Sequence, residues 1–155
     1  MRIDYTYLNM ACPKDPYPLP NIDHLIDNAS GFKTLSFMDP YSRYNQIRMD
    51  PLDAPKTTFM TNNKNYHYEV MPFGLRNVGA TFHRCMDTTF SLQIGRNLEV
   101  YIDDLVAKTK KGSNDADNLE EILGQVRKYN MCLNPAKCSF GVPSEKKFLM
   151  LGSFQ

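Results

Sequence analysis

A mixed α+β fold, built on a mostly antiparallel sheet with two helices on one face, follows from three observations. First, the acidic pair Asp103-Asp104 separates two apolar runs, residues 98–102 and 105–107, as the tight turn of a β-hairpin does. Second, residues 78–90 and 115–129 carry apolar side chains at helical spacing on either side of that hairpin. Third, another apolar run, residues 34–38, ends in an acid, Asp39. Helix-then-strand order around the acid pair is the split βαβ arrangement, related to the ferredoxin-like superfold.

Element by element, residues 2–8 alternate like a strand. Pro13, Pro16, Pro18 and Pro20 then enforce an extended connection. Asn21 is placed to cap a short helix with Ile22, Leu25 and Ile26 on one face, ending near Gly31. Residues 33–39 follow as a strand. Residues 46–49, 56–61 and 66–70 also read as strands, the last two joined by the polar turn at 62–65. Pro72 and Gly74 interrupt the chain before the first long helix, which aligns Phe82, Met86 and Phe90. The second turns Leu119, Ile122, Leu123 and Val126 inward and begins with acids, as the helix dipole favours. A last hairpin is expected over 137–154, turning at 143–145.

The 155 residues suffice for one domain with a single core. Eighteen basic and 17 acidic residues leave a net charge of +1, unlike the marked basic excess of a free-standing nucleic-acid binder. The charge is uneven, however: Lys108, Lys110 and Lys111 precede an acidic stretch. That trio suits phosphate contacts, although a lysine run is more often a solvated face. Cys12, Cys85, Cys132 and Cys138 lack zinc-ligand spacing, and scattered thiols without a secretory segment point to a reducing compartment. No apolar stretch reaches membrane-spanning length, so no membrane partner is expected.

The acids carry the chemistry. Two adjacent carboxylates on a rigid turn repel unless a cation holds them, and all-oxygen sites suit hard divalent ions such as Mg²⁺. A tyrosine followed two places later by paired acids also arises by chance roughly once in tens of domains this size. The pair alone is therefore weak. With Asp39 at the end of a neighbouring strand, it supplies the donors that two-metal phosphoryl transfer needs.

Many short segments, taken together, resemble the reverse transcriptase of gypsy-class long-terminal-repeat retrotransposons, especially the Pol polyproteins of plant elements. They are Asp4-Tyr5 with Leu8-Asn9, Pro13-Lys14-Asp15 with Tyr17-Pro18-Leu19-Pro20, and Leu35-Ser36-Phe37-Met38-Asp39. Tyr44-Asn45-Gln46-Ile47, Lys56-Thr57 with Phe59, Met71-Pro72-Phe73-Gly74-Leu75 and Gly79-Ala80-Thr81-Phe82 continue the series. Tyr101-Ile102-Asp103-Asp104, Leu133-Asn134-Pro135, Lys137-Cys138 and Phe140-Gly141-Val142 complete it. The resemblance implies an RNA-directed DNA polymerase, with a polymerase palm at 1–45 and 76–155 and partial fingers at 46–75 in a single domain. Asp39, Asp103 and Asp104 would be the catalytic triad, holding two Mg²⁺ or Mn²⁺ ions with help from the carbonyl of Pro40. Tyr44 would gate the sugar of an incoming dNTP, and Phe73 and Gly74 would line it, glycine permitting close backbone approach. Tyr101, Phe148, Leu149 and Gly152 would hold the primer. The implied partners are an RNA or DNA template-primer duplex, dNTP and the remainder of a Pol polyprotein. The implied location is intracellular, in cytoplasmic particles or the nucleus, with no signal peptide.

Several residues depart from the family pattern. Arg43 stands where the family usually has glycine and is expected to crowd the nucleotide. Met10 replaces the usual lysine, and residues 148–152 are off register. Thumb, connection, RNase H and integrase regions are expected to lie outside this chain, with Met1 an accidental start within a longer element, so the chain reads as a truncated or relic copy. The competing reading is a catalytically inactive palm-fold remnant that binds nucleic acid or protein. A nucleotide cyclase on a related palm would need purine-recognition and signalling segments that do not occur in the sequence.

Overall fold

The structure is a computed structural model that describes residues 3–18, 21–102 and 104–143. Its elements, in chain order, are α1 (Thr6–Ala11), α2 (Ile22–Ala29), β1 (Thr34–Met38), β2 (Phe59–Met60), β3 (Asn65–Tyr66), α3 (Val78–Thr89), β4 (Leu98–Tyr101), β5 (Asp104–Thr109), α4 (Asp115–Lys128) and β6 (Ser139–Pro143). Short 3₁₀ turns lie at Arg43–Gln46 and Ala54–Thr57. Among the described residues, no helix is long and apolar enough to cross a membrane.

The chain forms two compact units, residues 1–19 with 42–85 and residues 20–41 with 86–155. These divide the chain differently from the expected boundaries of palm and fingers. Residues 1–19 go with 42–85 because hydrogen bonds tie α1 and its exit to the turn at Phe73-Gly74. Asn9 Nδ2 donates to the Gly74 carbonyl (2.7 Å), and Arg76 N–H donates back to Asn9 Oδ1 (2.8 Å). Asn77 Nδ2 donates to the Pro13 carbonyl (2.9 Å).

The second unit is built on a four-stranded antiparallel sheet, ordered β4-β5-β1-β6. α2 starts where expected: the Asn21 side chain accepts from the Asp23 N–H (3.0 Å). Its Leu25 and Ala29, one turn apart, bury against Leu35, Phe37 and Val106 on one face of the sheet. Full burial of a Leu or Phe contributes about 1.5–3 kcal/mol, so this cluster anchors β1 and β5 firmly. α4 is capped by Asn114, carries Asp115 and Asp117 in its first turn and Arg127 and Lys128 in its last, and buries Ile122 and Val126. Asp115 accepts from Thr109 Oγ1 (2.5 Å), which docks the start of α4 on the end of β5. β1 and β6 slip register between Leu35 and Phe37, where Ser36 Oγ accepts from the Gly141 N–H (3.0 Å).

In three places the local structure differs from the expectation. Residues 6–11 are helical, not a strand: Asp4 Oδ1 accepts from both the backbone N–H (2.9 Å) and the hydroxyl (2.6 Å) of Thr6, stabilising a first turn. Of the apolar residues there, Tyr5 is buried, its hydroxyl donating to the Thr57 carbonyl (3.2 Å), whereas Tyr7 and Met10 are exposed on the helix. The strands expected over 46–49 and 66–70 are not formed: the 3₁₀ turn Arg43–Gln46 ends at the first, β3 ends at Tyr66, and a single bridge, Arg48 to Val70, joins the two segments. Residues 54–57 tighten into a second 3₁₀ turn begun by Pro55, which shortens the following strand to two residues. The expected final hairpin is described only as far as Pro143; its return arm lies outside the described residues.

Candidate active site

Each catalytic candidate that the structure describes sits at one end of the β1–β5 ladder. The paired register runs from Thr34↔Thr109 to Met38↔Leu105. Asp39 follows the last paired residue of β1, Met38, and Asp104 precedes its partner Leu105 on β5, so both acids belong to the same end of the sheet. Tyr101 pairs with Asp104 across the β4–β5 hairpin, and Ile102 lies in the turn after β4. Ile102 holds φ +48°, a left-handed conformation that costs a β-branched residue about 1–2 kcal/mol. Strain of this kind marks a turn whose geometry the surrounding structure imposes. Asp103 lies outside the described residues, as do Phe148, Leu149 and Gly152.

Asp39 is largely enclosed, its side chain 12% exposed, and the ammonium of Lys137 lies 3.4 Å from its Oδ2. Its backbone is also fixed: the Asp39 carbonyl accepts from the Asn134 N–H (2.8 Å), and Tyr41 N–H donates to the Cys132 carbonyl (2.8 Å). Pro40, buried between them, bridges to Leu133. In the sequence, Lys137 belongs only to the Lys137-Cys138 segment of the family resemblance. Its pairing with an acid 98 positions earlier has no local sequence signal. Among the described residues, no three His, Cys, Asp or Glu side chains cluster as metal ligands. Asp39 and Asp104 fit a hard divalent cation by donor type, being carboxylate oxygens, with Lys137 beside Asp39.

The nucleotide candidates belong to the other unit. Tyr44 meets Phe73 edge-on (5.2 Å, 63°) and Phe82 likewise (5.6 Å, 83°). Phe73 remains 51% exposed, so this ring cluster offers a face and does not form a sealed core. Gly74 has φ +100°, and a Cβ there would come no nearer than 3.7 Å to Tyr5. Within the chain itself, the left-handed backbone is what calls for glycine at this position. Arg43 has φ +41° and follows Ser42 at φ +53°. A glycine at this position would relieve that left-handed backbone. A cavity of about 390 Å³ in this unit, lined by Leu8, Cys12, Ile47, Met71 and Val78 among others, includes none of the predicted nucleotide residues.

The lysine run divides. Lys110 and Lys111 are exposed, whereas Lys108 is buried. Its ammonium pairs with Glu99 (2.6 Å), donates to the Asn28 carbonyl (3.2 Å) and lies 4.7 Å from the ring centre of Phe32. Neither a phosphate contact nor a solvated face describes it. Alternation along β5 points this side chain at α2, and Glu99 supplies the opposite charge that makes burial possible. Tyr101 is half-buried at the margin of the α2 cluster.

The family model for reverse transcriptase (RNA-dependent DNA polymerase) matches residues 1–153 of this sequence. The chain belongs to the reverse transcriptase family. It is 36% identical over 138 residues to the retrovirus-related Pol polyprotein from transposon 412 of Drosophila melanogaster, covering 89% of this chain and 11% of that protein. The Pol polyprotein from transposon gypsy of the same organism is 32% identical, over 89% of this chain and 13% of its own length. An RNA-directed DNA polymerase homolog of Oenothera berteroana is 38% identical over 109 residues, covering 70% and 77%. The chain thus spans about an eighth of the transposon polyproteins it matches. Among solved structures, foamy viral protease-reverse transcriptase in complex with RNA/DNA hybrid shares the fold at TM-score 0.79 and 18% identity, over 96% of this chain and 22% of that one. Reverse transcriptases as a family use divalent metal ions. The palm-type α+β fold expected from the sequence is the fold observed.

Proposed function

We propose that this reverse transcriptase chain carries the nucleotidyl-transfer centre of an RNA-directed DNA polymerase, joining a dNTP to a primer 3′-hydroxyl on an RNA or DNA template. The observation that supports this reading is the position of Asp39 and Asp104 next to the last pair of the β1–β5 ladder, Met38 with Leu105. Asp39, Asp103 and Asp104, with the Pro40 carbonyl, would hold Mg²⁺ or Mn²⁺, two ions per site. Bound there, the ions would lower the pKa of the primer hydroxyl and neutralise charge on the triphosphate. The protein's own part is positioning. β1 and β5 hold Asp39 and Asp104 at one end of their ladder, and the turn after β4 carries the strain of Ile102. Tyr44, with Phe73 and Gly74, would take the sugar and base of the dNTP, and Arg43 would border them. Tyr101, Phe148, Leu149 and Gly152 would hold the primer. The template-primer partner is supported by the relative solved with RNA/DNA hybrid and by another solved with double-stranded DNA.

Saturable Mn²⁺ binding, followed by electron paramagnetic resonance, is expected for the wild-type chain, with a loss of at least ten-fold in affinity for Asp39→Asn. Extension of a DNA primer on an RNA template should vanish in Asp103→Asn. Equal Mn²⁺ affinity in wild type and Asp39→Asn would overturn the metal site. Arg43, standing where the family has glycine, favours a second reading: a palm-fold remnant that holds nucleic acid without chemistry. Affinity for an RNA/DNA hybrid that is unaffected by Mn²⁺ and by Asp39→Asn would select that reading.

A further inference from the structure

We propose that the β2–β3 ribbon is a base-stacking platform for single-stranded nucleic acid, formed by Phe59, Tyr66 and Tyr68 with Lys64 at its tip. The register pairs Phe59 with Tyr66 and Met60 with Asn65. Residues opposite one another, and residues two apart, share a face. Phe59, Tyr66, Tyr68 and Lys64 therefore stand on one side, and Met60, Asn65 and His67 on the other. Phe59 and Tyr66 are stacked, their centres 6.0 Å apart and planes at 26°, and Tyr68 lies 5.6 Å from Phe59 at 41°. Tyr66 is 49% exposed, whereas Phe59 and Tyr68 are half-buried. Rings aligned along a ribbon with the outermost open are what successive bases need to stack upon, whatever their sequence.

Two further features favour a nucleic acid as occupant. Lys64 stands at the tip, where Asn62, Asn63 and Asn65 add amide donors, whereas Lys56 at the base of the ribbon is paired with Asp53 (2.7 Å). That local charge complements a polyanion, although the chain as a whole is nearly neutral. The platform is also pre-organised. Thr61 N–H and Oγ1 both donate to the Lys64 carbonyl (2.9 and 2.8 Å), and Lys64 N–H donates to Thr61 Oγ1 (3.2 Å). At the other end, Tyr68 N–H donates to Thr57 Oγ1 (3.0 Å), which donates to the Ala54 carbonyl (2.7 Å). A two-stranded ribbon this short is marginal on its own, and these bonds hold its rings in place before any ligand arrives.

Stacking needs no metal ion, so the proposal goes beyond nucleotidyl transfer and is tested apart from it. The probe is a fluorescein-labelled dT₁₂ oligonucleotide, followed by anisotropy with the full chain in EDTA. Saturable binding is expected, weakened about ten-fold by Tyr66→Ala, as loss of one stacked base predicts. Tyr66→Phe, which keeps the ring, should bind like wild type, and Phe59→Leu, which keeps apolar volume without the ring, should repeat the loss. Absence of saturable binding by the wild type would overturn the platform. So would wild-type affinity in Tyr66→Ala and Phe59→Leu, or equal competition by a DNA duplex of the same length, whose paired bases offer no face to the rings. None of these results bears on Mn²⁺ binding at Asp39.

Discussion

Arg43 shows how one residue can matter through its backbone. Its side chain is expected to crowd a nucleotide, yet its φ of +41° is a cost whether or not a nucleotide is present. Arg43→Gly should stabilise the chain by about 0.5–1 kcal/mol, the relief of left-handed strain outweighing the added freedom of the unfolded chain. Urea unfolding followed by circular dichroism measures it; unchanged or lower stability would contradict the strain. The sequence marked Arg43 only as a departure from a pattern, because nothing in one residue's identity states its φ. Asp39 was legible in a different way. An acid ending an apolar run can be read off directly, whereas Lys137, its partner at 3.4 Å, cannot.

At the scale of elements, the β4–β5 hairpin was foreseen from its alternation and its acid turn, and the observed strands match. What holds it was not foreseen. Glu99 and Lys108 lie diagonally across the hairpin as a buried ion pair, with side chains 11% and 1% exposed. Lys108→Met alone would strand a buried carboxylate, and a loss of about 3–5 kcal/mol is expected. The double change Glu99→Met with Lys108→Met should recover most of that loss, because the desolvation cost disappears with both charges. A double-mutant cycle by denaturant unfolding measures the coupling; additive losses would rule out a buried pair.

The link from the α3–β4 connection to α4 rests on Glu121, which accepts from Gln93 Nε2 (2.9 Å), Asn97 Nδ2 (3.1 Å) and the Arg96 guanidinium. The Gln93 hydrogen bond first, and then Arg96 and Asn97, hold its carboxyl below the usual 4.5. A depressed carboxylate contributes stability above its ordinary range and loses it as pH falls through the depressed value. Glu121→Gln should therefore cost less than about 1 kcal/mol at neutral pH, the pair being partly exposed, and the gap from wild type should close below pH 4.5. Thermal unfolding at pH 7 and pH 3 reads both quantities.

For the whole molecule, folding and metal binding should be linked. Mn²⁺ at about a hundred times its dissociation constant should stabilise the chain by about 2.7 kcal/mol, and a chelator should reverse it. Calorimetry with wild type and Asp39→Asn tests this; an equal rise in Tm in both would place the bound ion elsewhere. The sequence by itself determined the family, the antiparallel sheet, α2 to α4 and the acid that follows β1. These features arise from hydrophobic period, capping residues and turn chemistry, all local along the chain. Tertiary structure alone decided that residues 1–19 fold with 42–85, that Tyr7 and Met10 stay exposed on a helix, that Lys108 is buried and that Asp39 faces Lys137. Those outcomes depend on which partners distant segments find. A lysine or a short apolar run has the same local signature whether it meets water, a carboxylate or a core.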